Sequence, residues 1–181
     1  MSGPATSKAE LRRRYRDERT RLLRADVAEL SRRIADRFFA SFELTQTRVV
    51  STFIRISKFN EIDTSVLYFR LWRDHPNVRT VAPVVDIEAD LIESVEFTPL
   101  SELVENRWGI REPIGKVVPP EDIDLVLVPL LCFDRAGHRV GYGRGFYDRL
   151  LASVRTDCLK VGLSYFPPVE SIDDAGEYTS D

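Results

Sequence analysis

The run Asp124-Leu125-Val126-Leu127-Val128 decides the fold. Four consecutive large aliphatic residues leave neither face polar, so the segment reads as a strand buried on both sides. Cys158 to Tyr165 has the same character, and between the two lies a helical stretch with Tyr147, Leu150, Leu151 and Val154 facing inward. Strands alternating with helices at this spacing define an α/β domain, with a mixed or largely parallel sheet covered on both faces.

The alternation extends upstream. Val49-Val50-Ser51-Thr52-Phe53-Ile54 reads as a strand, followed by a helix capped near Asp63 or Thr64 with Val66, Leu67, Phe69, Leu71 and Trp72 for its buried face. Further strands are expected over 78–85 and 91–97, the second half-exposed or at an edge because Glu93, Ser94 and Glu96 interrupt it. Thr98-Pro99 reads as a helix start, proline being tolerated at the first helical position. At the amino end, residues 7–24 are expected to form a helix capped by Ser7 and Glu10, with a thin stripe of Leu11, Tyr15, Leu22 and Leu23 laid on the domain surface. Asp26 is expected to cap a second helix, whose broad apolar face is Val27, Leu30, Ile34, Phe38 and Phe39.

The 181 residues, 43% hydrophobic and 30% charged, suit one soluble globular domain over 1–181 and exclude collagen-like, mucin-like and disordered classes. The longest apolar runs, 80–85 and 126–133, fall far short of the roughly 20 residues of a membrane span. No secretory pattern follows the first basic residues, so a cytoplasmic protein without a membrane partner is expected. Cys132 and Cys158 lack the spacing of a zinc or redox motif and read as buried thiols. A net charge of −3 argues against nucleic-acid binding as the main role. Basic residues nevertheless crowd the first forty positions: Lys8, Arg12, Arg13, Arg14, Arg16, Arg19, Arg21, Arg24, Arg32, Arg33 and Arg37.

Sheets of this kind bind ligands at the carboxyl ends of their strands, which points to the loops after Ile54, Val85, Val128 and Tyr165. The richest of these contains Gly141-Tyr142-Gly143-Arg144-Gly145, directly before a helix. Alternating glycines remove the β-carbons that would hold an anion off the backbone, and helix-start N–H groups can then reach phosphate oxygens. Arg139 and Arg144 add charge. The same pattern serves equally as a turn joining a hairpin to a helix. It matches neither the dinucleotide fingerprint nor the Walker loop. Asp148, in the first turn of the helix, is stabilised there by the helix dipole and suits a magnesium ion beside phosphates.

Val128-Pro129-Leu130-Leu131-Cys132-Phe133-Asp134, then Gly137, Arg139, Gly141 and Gly143-Arg144-Gly145-Phe146-Tyr147-Asp148-Arg149, resembles the signature of the 5-formyltetrahydrofolate cyclo-ligase family. Four further segments agree in order and spacing: Lys8 with Leu11 and Arg12; Asn60-Glu61-Ile62-Asp63-Thr64; Thr80-Val81-Ala82-Pro83; and Trp108-Gly109-Ile110-Arg111-Glu112-Pro113. Together they cover nearly the whole chain.

The resemblance implies a three-layer α/β/α sandwich with a mixed, largely parallel sheet, of the NagB/RpiA/CoA-transferase-like kind. It also implies ATP- and magnesium-dependent conversion of 5-formyltetrahydrofolate to 5,10-methenyltetrahydrofolate by a monomer, with no nucleic-acid partner. By the same resemblance, Lys8 and Arg12 contact ATP phosphates. Arg139, Val140, Gly141, Tyr142, Gly143, Arg144, Gly145, Phe146 and Tyr147 form the phosphate cradle, with Arg144 as the catalytic residue that stabilises the transferring phosphoryl group. Asp148 holds magnesium. Glu61 hydrogen-bonds the pteridine ring, Ile56 lines its pocket, and Trp108, Phe146 and Tyr147 supply flat apolar surface.

Two departures stand out. Phe146 replaces the family's usual tyrosine, and the chain is short at its carboxyl end, so Asp181 meets the family's second metal position only with two residues inserted. Competing readings are a phosphosugar isomerase or acyl-transfer enzyme on a similar sheet, or a nucleic-acid-binding regulator that uses the basic first helix. Glu61 together with the Lys8/Arg12 pair favours the ligase.

Overall fold

The computed structural model describes residues 7–86, 88–89, 91–107 and 109–173. Helices α1 (Lys8–Thr20) and α2 (Arg24–Ser41) lead into strand β1 (Val49–Ser51), helix α3 (Ser65–Asp74), and strands β2 (Arg79–Asp86) and β3 (Leu91–Phe97). A small hairpin of β4 (Leu103–Glu105) and β5 (Arg111–Pro113) precedes β6 (Val117–Val118) and β7 (Leu125–Pro129). A second hairpin, β8 (Cys132–Phe133) and β9 (Arg139–Val140), is followed by α4 (Phe146–Ser153) and β10 (Leu159–Leu163).

Six of these strands form one sheet in the order β10-β7-β1-β2-β3-β6. The first four are mutually parallel, and β3 and β6 add antiparallel pairs, so the sheet is mixed and largely parallel. From β1 the chain winds outward to β2, then returns across the sheet to β7 and winds the other way. The reversal falls between β1 and β7, and loops that leave a sheet in opposite directions open a crevice at the strand ends.

The two-residue period of the strands sorts the core into two layers. Val50, Leu125, Leu127 and Leu163 pack with Ala35 and Phe38 of α2 and Leu67 and Leu71 of α3. On the opposite face Val49, Val81, Val126 and Val128 pack with Leu150 and Val154 of α4. These three layers are the sandwich the sequence led us to expect. A third cluster joins Leu11 and Tyr15 of α1 to Leu131, Cys132, Val140 and Ile172. Helix α1 therefore rests on the loops that follow β7 rather than on a face of the sheet.

Several elements differ from their expected form. Helix α1 ends at Thr20, and Leu23 is 70% exposed, so the expected stripe stops at Tyr15. The next helix starts at Arg24, which makes Asp26 its third residue; the carboxylate reaches back to accept the Leu23 N–H at 3.1 Å. No helix begins at Thr98-Pro99. Ser101 N–H closes a turn onto the Thr98 carbonyl at 3.0 Å, and Leu100 is 96% exposed, so no apolar contact holds a first helical turn. Strand β3 is half-exposed, as one of its two readings had it, but it is not the edge, because β6 pairs outside it. The strand expected over 49–54 ends at Ser51, although Thr52 N–H still donates to the Val81 carbonyl at 2.8 Å. Cys132 and Cys158 are buried free thiols, and burial pushes Cys132 up to about 12. No helix among the described residues is long and apolar enough to cross a membrane.

Candidate active site

Above the carboxyl ends of β1, β2 and β7 opens a cavity of about 470 Å³. Phe53, Ile54 and Ile56 follow β1 into its wall, Pro83 and Val85 come from β2, and Ile110 and Arg111 from the β4–β5 hairpin. Pro129, the glycine-rich loop and two cations of α1, Lys8 and Arg12, close it.

The glycine-rich end is built from Asp134 outward. This carboxylate, 4% exposed, accepts the Ala136 and His138 N–H groups on Oδ1 at 3.0 and 2.9 Å, and meets His138 Nδ1 with Oδ2 at 2.9 Å. The turn so fixed returns the chain through β9 to Gly141. Gly143 (φ +98°) and Gly145 (φ +67°) then take left-handed conformations that other residues adopt only at a cost. Gly145 stands at the amino end of α4 with no side-chain cap, and that end lies in the cavity wall. Such an end carries partial positive charge from its unbonded N–H groups.

Helix α1 clamps this loop from outside. A capping box between Ser7 and Glu10 fixes its start. Arg12 Nε donates to the Gly141 carbonyl at 3.1 Å, and Arg16 Nη2 to the Tyr142 carbonyl at 3.0 Å. Across the loop, Arg139 pairs with Asp148 in the first turn of α4. Among the described residues no group of three or more histidine, cysteine or carboxylate side chains could hold a metal. A cation beside Asp148 would draw its other oxygens from ligand and water, which is how magnesium is usually held next to phosphates.

A buried carboxylate forms the opposite end. Glu61, 5% exposed, accepts the Ile56 N–H on Oε2 at 2.6 Å and the Tyr142 hydroxyl on Oε1 at 2.5 Å. Burial raises its pKa above the usual carboxylate value, against the opposing pull of those two bonds and of the Arg19 charge. Asn60, left-handed at φ +48°, donates from Nδ2 to the Arg19 and Leu22 carbonyls at 3.1 and 3.0 Å. The loop that carries Glu61 is thereby stitched to the last turn of α1.

One cavity thus gathers Lys8, Arg12, Ile56, Glu61, Arg139, Gly141, Tyr142, Gly143, Arg144, Gly145, Phe146, Tyr147 and Asp148. Val140 does not line it; its side chain packs in the cluster with Leu11 and Cys132. The Tyr142 hydroxyl turns to Glu61, while its main chain stays in the loop. Trp108 and Asp181 lie outside the described residues. Sequence reasoning missed Phe53, Pro83, Val85, Ile110, Arg111 and His138 as cavity wall. Pro83, Ile110 and Arg111 sit inside the matched segments, and the strand-end rule pointed to the loops after Ile54 and Val85. His138 carried no signal beyond its nearness to the glycines.

A switch-point cavity with a cationic, glycine-rich loop at one end and a buried carboxylate at the other is the kind of site in which open α/β enzymes take their ligands. The chain belongs to the 5-formyltetrahydrofolate cyclo-ligase family, whose family model matches residues 4–166. The 5-formyltetrahydrofolate cyclo-ligase of Escherichia coli (strain K12) is 33% identical over 140 residues, 75% of each chain. That of Mycoplasma genitalium is 42% identical over 133 residues, 67% of this chain and 79% of its own. The NMR structure of Aquifex aeolicus 5,10-methenyltetrahydrofolate synthetase aligns with a TM-score of 0.71 at 29% identity, covering 92% of this chain and 84% of that one. The chain is accordingly an enzyme of this ligase family, and the resemblance read from its motifs holds.

Proposed function

We propose that the chain uses ATP and magnesium to convert 5-formyltetrahydrofolate to 5,10-methenyltetrahydrofolate, releasing ADP and phosphate. The observation that carries this reading is the single cavity that joins the cationic glycine loop to the buried Glu61 carboxylate. An amide-like formyl oxygen is a poor leaving group. Transfer of the γ-phosphoryl group forms an O–P bond on that oxygen and breaks the bond to ADP. N10 of the same folate then attacks the formyl carbon, the C–O bond breaks as phosphate departs, and N10 gives up its proton as the five-membered ring closes.

Lys8 and Arg12 hold phosphate oxygens from α1, the first as a point charge and the second as a fork. The loop has room for them: a β-carbon on Gly141 would meet nothing within 4 Å. Arg144, also in the cavity wall, stabilises charge on the moving phosphoryl group. Asp148 is the carboxylate that would hold magnesium, which would neutralise phosphate charge and polarise the transferring group. Each oxygen of Glu61 keeps acceptor capacity beyond its one protein bond, so together they suit adjacent amino and ring N–H donors of a pteridine. Phe53, Ile54, Ile56 and Pro83 give that ring an apolar bed.

The test is direct: purified protein, 5-formyltetrahydrofolate, magnesium and ATP are mixed, and the near-ultraviolet absorbance of the methenyl product is followed. Product forms only when all components are present. No product, or an equal rate without ATP, rules the reading out.

A further inference from the structure

Arg19 is 6% exposed, on the same face of α1 as Lys8 and Arg12. A guanidinium this deep is costly unless it is compensated. Its surroundings belong to the carboxylate end of the cavity. Its guanidinium lies over the Tyr142 ring, 5.1 Å from the centroid, and its charge acts on Glu61. The hydroxyl of that same ring donates to Glu61 Oε1 at 2.5 Å. Arg19, the Tyr142 ring and Glu61 thus form one chain of contacts, in which the cation fixes the ring and the ring's hydroxyl fixes the carboxylate.

We propose that Arg19 is a positioning residue for Glu61, acting through the Tyr142 ring that it covers and whose hydroxyl holds the carboxylate, so that the last turn of α1 sets the folate-binding carboxylate while its first turns serve the phosphates. The proposal rests on the reading above that Glu61 receives the pteridine ring. Asn60 supports the arrangement from the other side, since its bonds to the Arg19 and Leu22 carbonyls fix the approach of the Glu61 loop to the same turn. The groups facing Glu61 are Arg19 from α1, Tyr142 from the glycine loop, and Tyr147 from α4, with Tyr165 in the adjoining wall. Burial holds the three tyrosines neutral at working pH, so Arg19 supplies the positive charge.

The experiment measures KM for 5-formyltetrahydrofolate and kcat, from pH 5 to 9, for wild type, Glu61→Gln, Tyr142→Phe, Arg19→Met, Arg19→Lys and the double variant Arg19→Met/Tyr142→Phe, with thermal melts alongside. Tyr142→Phe is expected to raise the folate KM about tenfold or more, the usual weight of a hydrogen bond to a charged group, with a much smaller change in kcat. Its KM should also begin to climb at a higher pH on acidification, because Glu61 has lost a bond that favours its charged form. The double variant should be no worse than the more damaged single, since both changes cut one chain. Arg19→Lys, which keeps charge and a donor, should recover part of the loss.

A wild-type KM and pH profile in Tyr142→Phe overturns the proposal. So does an Arg19→Met penalty of the same size with and without the Tyr142 hydroxyl. If Arg19→Met does not fold, Tyr142→Phe and Arg19→Lys decide alone. An unchanged KM in Glu61→Gln instead refutes the assignment of the ring to Glu61, and is thereby distinguished from failure of the relay.

Discussion

A β-carbon on Gly143 would lie 3.2 Å from the guanidinium carbon of Arg12, tighter than ordinary contact. The glycine holds φ +98°, a region where a side chain is strained even in open space. Gly143→Ala should therefore cost about 1–2 kcal/mol of stability and raise the KM for ATP as the loop and Arg12 part. Gly141→Ala separates the two effects. Its β-carbon meets no protein atom within 4 Å, so thermal stability should barely change, while the KM for ATP rises if that space belongs to phosphate. Thermal melts and ATP titrations of the two variants check both statements.

Asp148 and Arg139 form an ion pair whose carboxylate is half exposed, and exposed pairs contribute about 1 kcal/mol or less. Asp148→Asn should accordingly melt within a few degrees of wild type. If Asp148 holds magnesium, ATP-dependent turnover should fall by at least about tenfold, with a higher magnesium concentration needed for half-maximal rate. A loss of melting temperature that parallels the loss of turnover would assign Asp148 a structural role instead.

The sheet was legible because its signal is local. Val126 and Val128 alternate with Leu125 and Leu127 inside five residues, and those alternating positions face α4 on one side and α2 with α3 on the other. The glycine loop was legible for the same reason, since 141, 143 and 145 lie within one turn of chain. On α1 the matched motif singled out Lys8 and Arg12, and both line the cavity. Arg19 was not legible: it looks like the other arginines of a basic rod, and only the topology brings Tyr142 to it across more than a hundred residues. The Thr98-Pro99 helix shows the converse failure. Its local start signal is sound, but a turn to Ser101 and an exposed Leu100 leave it no surface to pack on.

Leu127 is fully buried in β7, between β10 and β1, and packs in the layer shared by α2 and α3. Truncation there leaves a cavity that close-packed neighbours fill only partly. Leu127→Ala should cost about 2–5 kcal/mol in chemical denaturation, whereas Leu100→Ala, at an exposed turn, should stay within about 0.5 kcal/mol. Similar costs at both positions would contradict the layered core.

Asp134 ties the stability of the fold to pH. Burial alone would raise its pKa, but the His138 ring, the His138 N–H and the Ala136 N–H bind its charged form and hold it below the usual carboxylate value. In the unfolded chain the group titrates near about 3.9. A depressed folded value means that ionised Asp134 contributes stability in full above that point, and the contribution is lost as pH falls through the folded value. The stability gap between wild type and Asp134→Asn in denaturation should thus narrow as pH falls below about 4. Removing the ring in His138→Ala takes away one of the bonds that favour the carboxylate, so its acid sensitivity should set in at higher pH than in wild type. A gap between wild type and Asp134→Asn that does not narrow at low pH would show that the turn depends on its N–H bonds and not on the charge.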